Sequence, residues 1–189
     1  MNLSKRAIVL VSFLWGITMA SAQFNPPAVD KSPMDMCYYP IEYPVLKIQD
    51  KATEPLVARV IYSRPQKKGR KLFGDLVAYG QVWRLGANEA TEIEFFKDVK
   101  IDNKKLKKGR YTIYALVDSG KWTIILNKET DTWGAFRYDS SKDVLRATVP
   151  VQKQTANMEI FSMLFDKTRT GADLVMNWDD ILVRLPIAW

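Results

Sequence analysis

From residue 56 onward, apolar and polar positions alternate in short runs separated by Gly, Pro, Asn and Asp. Between 110 and 117, Tyr111, Ile113, Ala115 and Val117 share one face while Thr112 and Tyr114 share the other. That period of two marks a half-buried strand. The same reading predicts strands over 56–63, 91–96, 110–117, 122–127, 144–149, 158–165, 172–178 and 181–185. Asp118-Ser119-Gly120 supplies turn chemistry for a hairpin, Asp102-Asn103 and Lys108-Gly109 punctuate the stretch before it, and Asp179-Asp180 turns the last two strands. No stretch of ten or more residues carries a helical stripe. The segment 72–79 has room for a short helix or 3₁₀ turn, limited by Gly74 and Gly80. Strands at this spacing predict an all-β domain, an antiparallel β-sandwich of eight or more strands over 51–189, with a closed barrel as the alternative.

Two segments precede that domain. Residues 1–22 carry Lys5 and Arg6, an apolar run over 7–20 and the small-residue end Ala20-Ser21-Ala22, the three parts of a cleaved signal peptide. The apolar run is too short, and too interrupted by Ser12, Gly16 and Thr18, for a transmembrane anchor. Export to the periplasm or the cell exterior is therefore expected. A lipoprotein signal would place Cys at the cleavage site, and the one cysteine is Cys37. Residues 23–50 hold five prolines (Pro26, Pro27, Pro33, Pro40 and Pro44), which predicts an extended arm laid over the sandwich.

The chain has no histidine, which excludes Ser-His-Asp and Cys-His catalysis and histidine-ligated metals. A single cysteine excludes an internal disulfide; Cys37 is read as a small buried hydrophobe, the alternative being an exposed thiol. No cofactor or metal is expected. The formal charge is +7, and loss of Lys5 and Arg6 with the signal lowers it by two. The basic run 67–71, which includes Arg70, would suit an anion. Export makes nucleic acid the wrong polyanion, leaving anionic polysaccharide, lipid head groups or peptidoglycan, or simply a solvated hairpin tip.

The motifs Asp30-Lys31-Ser32-Pro33, Tyr62-Ser63-Arg64-Pro65, Gly69-Arg70, Phe73-Gly74, Tyr79-Gly80, Trp83-Arg84, Gly86-Ala87-Asn88-Glu89-Ala90-Thr91, Gly109-Arg110-Tyr111, Trp133-Gly134 and Asp143-Val144-Leu145-Arg146 follow one another in this order. In this the chain resembles domain-of-unknown-function family 2911, exported bacterial proteins without assigned activity. The resemblance implies an envelope protein with a β-sandwich core and brings no substrate, cofactor or catalytic residue.

Read physically, the segment Trp83-Arg84-Leu85-Gly86-Ala87-Asn88-Glu89 is the strongest site candidate: a flat ring, a fork of donors and an amide fall in one loop. The same residues also suit a scaffold in which Arg84 stacks on Trp83 and Asn88 closes a turn. Arg64, held before Pro65, either recognises an anion or pairs with Glu89 or Glu92. In 133–138 a glycine separates aromatics, so Trp133 is placed on the second wall of a cleft. The candidate ligand contacts are thus Arg64, Arg70, Trp83, Arg84, Asn88, Glu89 and Trp133. Glu92 and Glu94 are the obvious carboxylate pair, but they share the solvent side of a strand, so no catalytic acid and base can be named. Three readings stay open: a non-enzymatic binding module for a small polar or anionic ligand or a glycan, an assembly protein contacting another envelope component, and a carboxylate-dependent hydrolase.

Overall fold

The structure, a computed structural model, describes residues 24–189. The signal peptide read over 1–22 lies outside them. The protein is all-β and antiparallel, with ten strands in one sheet of order β1-β2-β4-β7-β8-β9-β10-β5-β6, and β3 paired on β7. The strands are β1 (Met34–Tyr39), β2 (Ala58–Ser63), β3 (Val82–Trp83), β4 (Glu92–Phe95), β5 (Val99–Ile101), β6 (Lys104–Leu106), β7 (Gly109–Val117), β8 (Lys121–Asn127), β9 (Asp143–Lys167) and β10 (Gly171–Ala188). The sheet curls so that its two halves face each other. Across the interior, Tyr62 of β2 meets Phe161 of β9 edge to face at 5.9 Å, and Tyr62 Oη accepts from Met163 N at 3.0 Å. β1 and β6 remain as the two ends of the order, so the sheet does not close into a barrel.

Inside the span read as an extended arm, the six residues between Pro33 and Pro40 keep every backbone N–H. They pair with β2 along their whole length, from Met34↔Ser63 to Tyr39↔Ala58. A short helix, α1 (Tyr43–Ile48), follows with proline in its first turn, where a missing N–H costs nothing. Segment 72–79 forms turns and a Phe73↔Val77 bridge instead of a helix. Asp102 and Asn103, with φ of 51° and 59°, make the two-residue turn of the β5–β6 hairpin.

The last two strands differ most from a simple alternation of strand and turn. β10 is one strand of 18 residues, yet Trp189 N–H donates to Thr170 C=O at 3.2 Å. A straight run of that length would hold its ends about 60 Å apart, so β10 doubles back. The reversal falls at Asp179, whose φ is 55°, in agreement with the turn expected at Asp179-Asp180. β9, expected as two strands, is one of 25 residues. It pairs first with β8, then sets Lys153 opposite Ile181 and Met158 opposite Asp179. Residues 154–157 thus carry it round the tip of the β10 reversal and from one layer into the other.

Between the layers lies an aromatic cluster. Trp83 packs against Trp122 at 5.7 Å, Phe161 at 5.3 Å and Trp178 at 5.9 Å, and Phe73 joins Trp122 at 5.4 Å. Such pairs contribute roughly 0.5–1.5 kcal/mol each beyond the burial of their area. Among the described residues no helix is long and apolar enough to cross a membrane.

Candidate functional site

Residues 128–142 leave β8, cross the outer face of the sheet and return to β9. Their base is fixed by side chains. Asn127 Nδ2 donates to Asp139 O at 2.9 Å and Asp143 Oδ1 at 2.8 Å, while its Oδ1 accepts from Glu129 N at 2.9 Å. Tyr138 donates its hydroxyl proton to Asp143 Oδ2 at 2.6 Å, and Arg146 Nη2 donates to Tyr138 Oη at 2.7 Å. Burial first, and the Asp143 bond second, push the Tyr138 phenol up to about 12. The bond to Asp143 also raises Arg146.

The middle of the loop is fastened to residues 86–92. Ala90 N donates to Thr132 O and Gly134 N to Asn88 O, each at 2.9 Å. Glu89 and Trp133 form an antiparallel bridge. Asp131 N donates to Glu92 Oε1 at 2.6 Å, and the Tyr114 hydroxyl lies 3.1 Å from Thr132 Oγ1. Beneath these bonds a second apolar cluster of Ala90, Tyr114 and Ile125, joined by Val82, Ala135 and Tyr138, supports the loop. The loop is held at its base, its middle and its underside.

On this support sits a cleft of 420 Å³, lined among others by Tyr114, Glu129, Asp131, Trp133, Phe136 and Arg137. Trp133 and Phe136 are 60% and 81% exposed. Between them Gly134 has φ of 68°, which favours glycine, and a Cβ there would stand 2.7 Å from the Phe136 ring, which would have to move aside. Glu129 is paired by Lys142 and Asp131 by Arg110. Arg137 is exposed and, among the described residues, has no carboxylate partner. The uncompensated charge of the cleft is therefore positive.

The family described as "Protein of unknown function (DUF2911)" matches residues 46–187. The chain belongs to this family. The DUF2911 match begins within α1, leaves out β1 and Asp30-Lys31-Ser32-Pro33, and takes in both segments that form the cleft. No curated protein and no solved structure matches the chain.

In this DUF2911 chain the residues singled out from sequence divide into two groups. Asn88, in the left-handed region with φ of 58°, and the exposed Glu89 lie directly against Trp133. Arg84 precedes them. Strand alternation puts it on the Val82 face, away from Trp83; its Nε is buried without a partner, and burial lowers its pKa. Trp83 is turned into the core, with Nε1 donating to Gly86 O at 3.2 Å. Arg64 and Arg70 are elsewhere. Arg64 pairs with Asp35 at 2.9 Å and donates to Ser162 Oγ at 2.9 Å and Phe161 O at 3.3 Å, so its partner is neither Glu89 nor Glu92 but a residue of β1. Arg70 closes its own loop, with Nε donating to Lys67 O at 2.9 Å.

Sequence reasoning did not single out Tyr114, Glu129 or Asp131. Tyr114 sat in a strand pattern, and charges in a loop carry no signal of what they face. The carboxylate pair on β4 is accounted for across the sheet: Glu94 faces Arg59 at 2.5 Å and Glu92 faces Arg110 at 3.3 Å. The carboxyls whose pKa moves, Asp98 through its bond from Lys107 and Asp139 through its bonds from Ser141, both move down, opposite to the shift a general acid needs. Among the described residues no cluster of three or more Cys, Asp or Glu side chains could hold a metal ion. Cys37 is half-buried, packed against the core, and burial pushes its thiol up to about 12.

Proposed function

We propose that the protein is an exported envelope binding module that recognises a glycan or a small polar, anionic ligand in the cleft between Trp133, Phe136 and Arg137. One observation carries the reading: two large aromatic rings are kept in solvent on a loop that hydrogen bonds and a local apolar cluster hold rigid. An exposed ring gains nothing for folding, whereas a rigid ring presented to solvent stacks on a sugar face at little entropic cost. Polar groups around the rings supply orientation, as small-molecule sites require. The free Arg137 selects for negative charge. Export rests on the three-part leader at 1–22.

The test is a binding screen of the mature domain against neutral and acidic envelope saccharides, with Trp133→Ala and Phe136→Ala in parallel. Binding by wild type that both variants lose supports the proposal. Absence of binding to every saccharide, or binding that both variants keep, rejects it.

An assembly role has one observation in its favour. Met36, Ile41, Val45 and Leu164, each about half exposed, line an apolar hollow beside β1. Light scattering of the purified domain would show self-association through that hollow as a mass that falls on Leu164→Glu.

A further inference from the structure

The β9–β10 ladder stops at Val183↔Val151, and two prolines explain why. Val151 donates its N–H to Gly120 O at 3.0 Å, toward β8. Alternation then directs the backbone groups of Thr148, Pro150 and Gln152 the other way, toward β10. On β10 the Trp189 N–H points at Thr170, so Arg184 and Pro186 present their backbone groups toward β9. Continuing the register would set Pro150 opposite Arg184 and Thr148 opposite Pro186. Each rung has a proline on one side and lacks a donor. The strands diverge, and Ala188 pairs with Lys100 of β5 instead.

Between the diverging strands is a cleft of 550 Å³. It shares no lining residue with the Trp133 cleft. Its floor is core: the buried side chains of Ala147, Val149, Leu185 and Ile187 line it. The fork offers the carbonyls of Thr148, Pro150, Arg184 and Pro186 but only the N–H groups of Thr148 and Arg184. One such row is already used by a donor, since Lys104 Nζ lies 3.4 Å from Arg146 O. The lining charges balance, Lys100 and Arg184 against Asp102 and Asp173.

We propose that this fork is a second binding site, for a neutral amphiphile with an aliphatic body and a hydroxyl or amide donor. The body covers the apolar floor, and the donor satisfies carbonyls that the prolines leave without ladder partners. An anionic head group has no donor to give them, and the balanced rim offers it no net attraction. Prolines also disfavour an added β-strand, because an inserted chain would meet two missing donors.

Methyl NMR tests the site with three probes of equal chain length: 1-hexanol, hexanoate and hexylammonium. Hexanol is expected to shift the Val149, Leu185 and Ile187 methyls saturably, and hexanoate to bind at least ~10-fold more weakly. The exposed Thr148→Trp is expected to abolish the shifts by filling the mouth. Pro186→Ala, which restores a donor and lets a rung with Thr148 form, is expected to weaken hexanol several-fold. Hexanoate or hexylammonium binding as well as hexanol overturns the ligand class. Methyls that do not respond to hexanol, or shifts that survive Thr148→Trp with the remaining methyl spectrum unchanged, overturn the site.

Discussion

Trp83 and Trp178 lie almost parallel, 17° apart in plane and 5.9 Å between centroids, though one belongs to β3 and the other to the doubled-back β10. The ring that looked most like a ligand platform in the sequence is thus a tie between the two layers. Trp83→Ala is expected to cost about 3–5 kcal/mol, the range for removing a buried aromatic. Urea unfolding gives the value, and a double-mutant cycle with Trp178 should return a coupling of roughly 0.5–1.5 kcal/mol. A Trp83→Ala protein of unchanged stability would mean that the layers are not held this way.

Trp133 and Phe136 should behave in the opposite sense. Truncating either exposed ring is expected to leave stability within about 0.5 kcal/mol of wild type. Thermal unfolding of the two variants checks this, and a large loss would identify the rings as scaffold instead of a presented surface.

Gly171 makes the reversal of β10 testable. A Cβ on Gly171 would meet the Ile187 carbonyl oxygen at a contact too short to exist. Backbone cannot swing aside as a side chain can, so Gly171→Ala is expected to destabilise the domain by about 3 kcal/mol or more. Gly120, with open space around its missing Cβ, is the control: Gly120→Ala should change stability by less than about 1 kcal/mol.

Alkaline pH should loosen the fold through Tyr62. Burial is the main cause that raises its phenol from an ordinary 10.0 to about 12. The folded state therefore holds the proton more tightly than the unfolded one. This contribution is complete below pH 10 and falls as pH climbs toward 12. Cys37, raised from 9.0 to about 12 by burial first and Asp35 second, adds the same sign from pH 9 upward. Urea midpoints measured across that window should fall more steeply for wild type than for Tyr62→Phe. Tyr62→Phe should itself lose about 1–2 kcal/mol at neutral pH, because Met163 N is left without its acceptor. Equal slopes would show that Tyr62 does not couple pH to folding.

Arg64 tethers the edge strand β1 to β9, through Asp35 on one side and Ser162 on the other. Arg64→Lys keeps the charge but not the fork of donors. Faster amide exchange over 34–39 is expected in that variant, with little change in the rest of the sheet. Exchange at wild-type rates would assign the tether elsewhere.

The sequence conveyed what is local. Alternation located β2, β4, β7 and β8, and the turn chemistry of Asp118-Ser119-Gly120 and Asp179-Asp180 located two reversals, because each depends on residues within a few positions. β1 was hidden by its proline-rich surroundings, although the proline-free window 34–39 was its visible sign. The passage of β9 between layers could not be read, since 154–157 are exposed and polar or small, as a loop would be. At the site, Gly134 between aromatics pointed to Trp133, and the amide-bearing segment beside Glu89 does border it. Trp83 misled, because a tryptophan next to arginine reads the same whether its ring faces a ligand or the interior. Facing is settled by the pairing of β3 with β7, a tertiary fact.

The doubling back of β10 also orders events in time. Tyr62 bonds to Met163, 101 residues away, and Trp83 waits for Trp178, so the two layers cannot close on each other until the last strands have been made. Contacts this distant in sequence make folding slow. A chain whose layers close only when its last strand arrives stays threadable until then, as the export proposed from its leader would require.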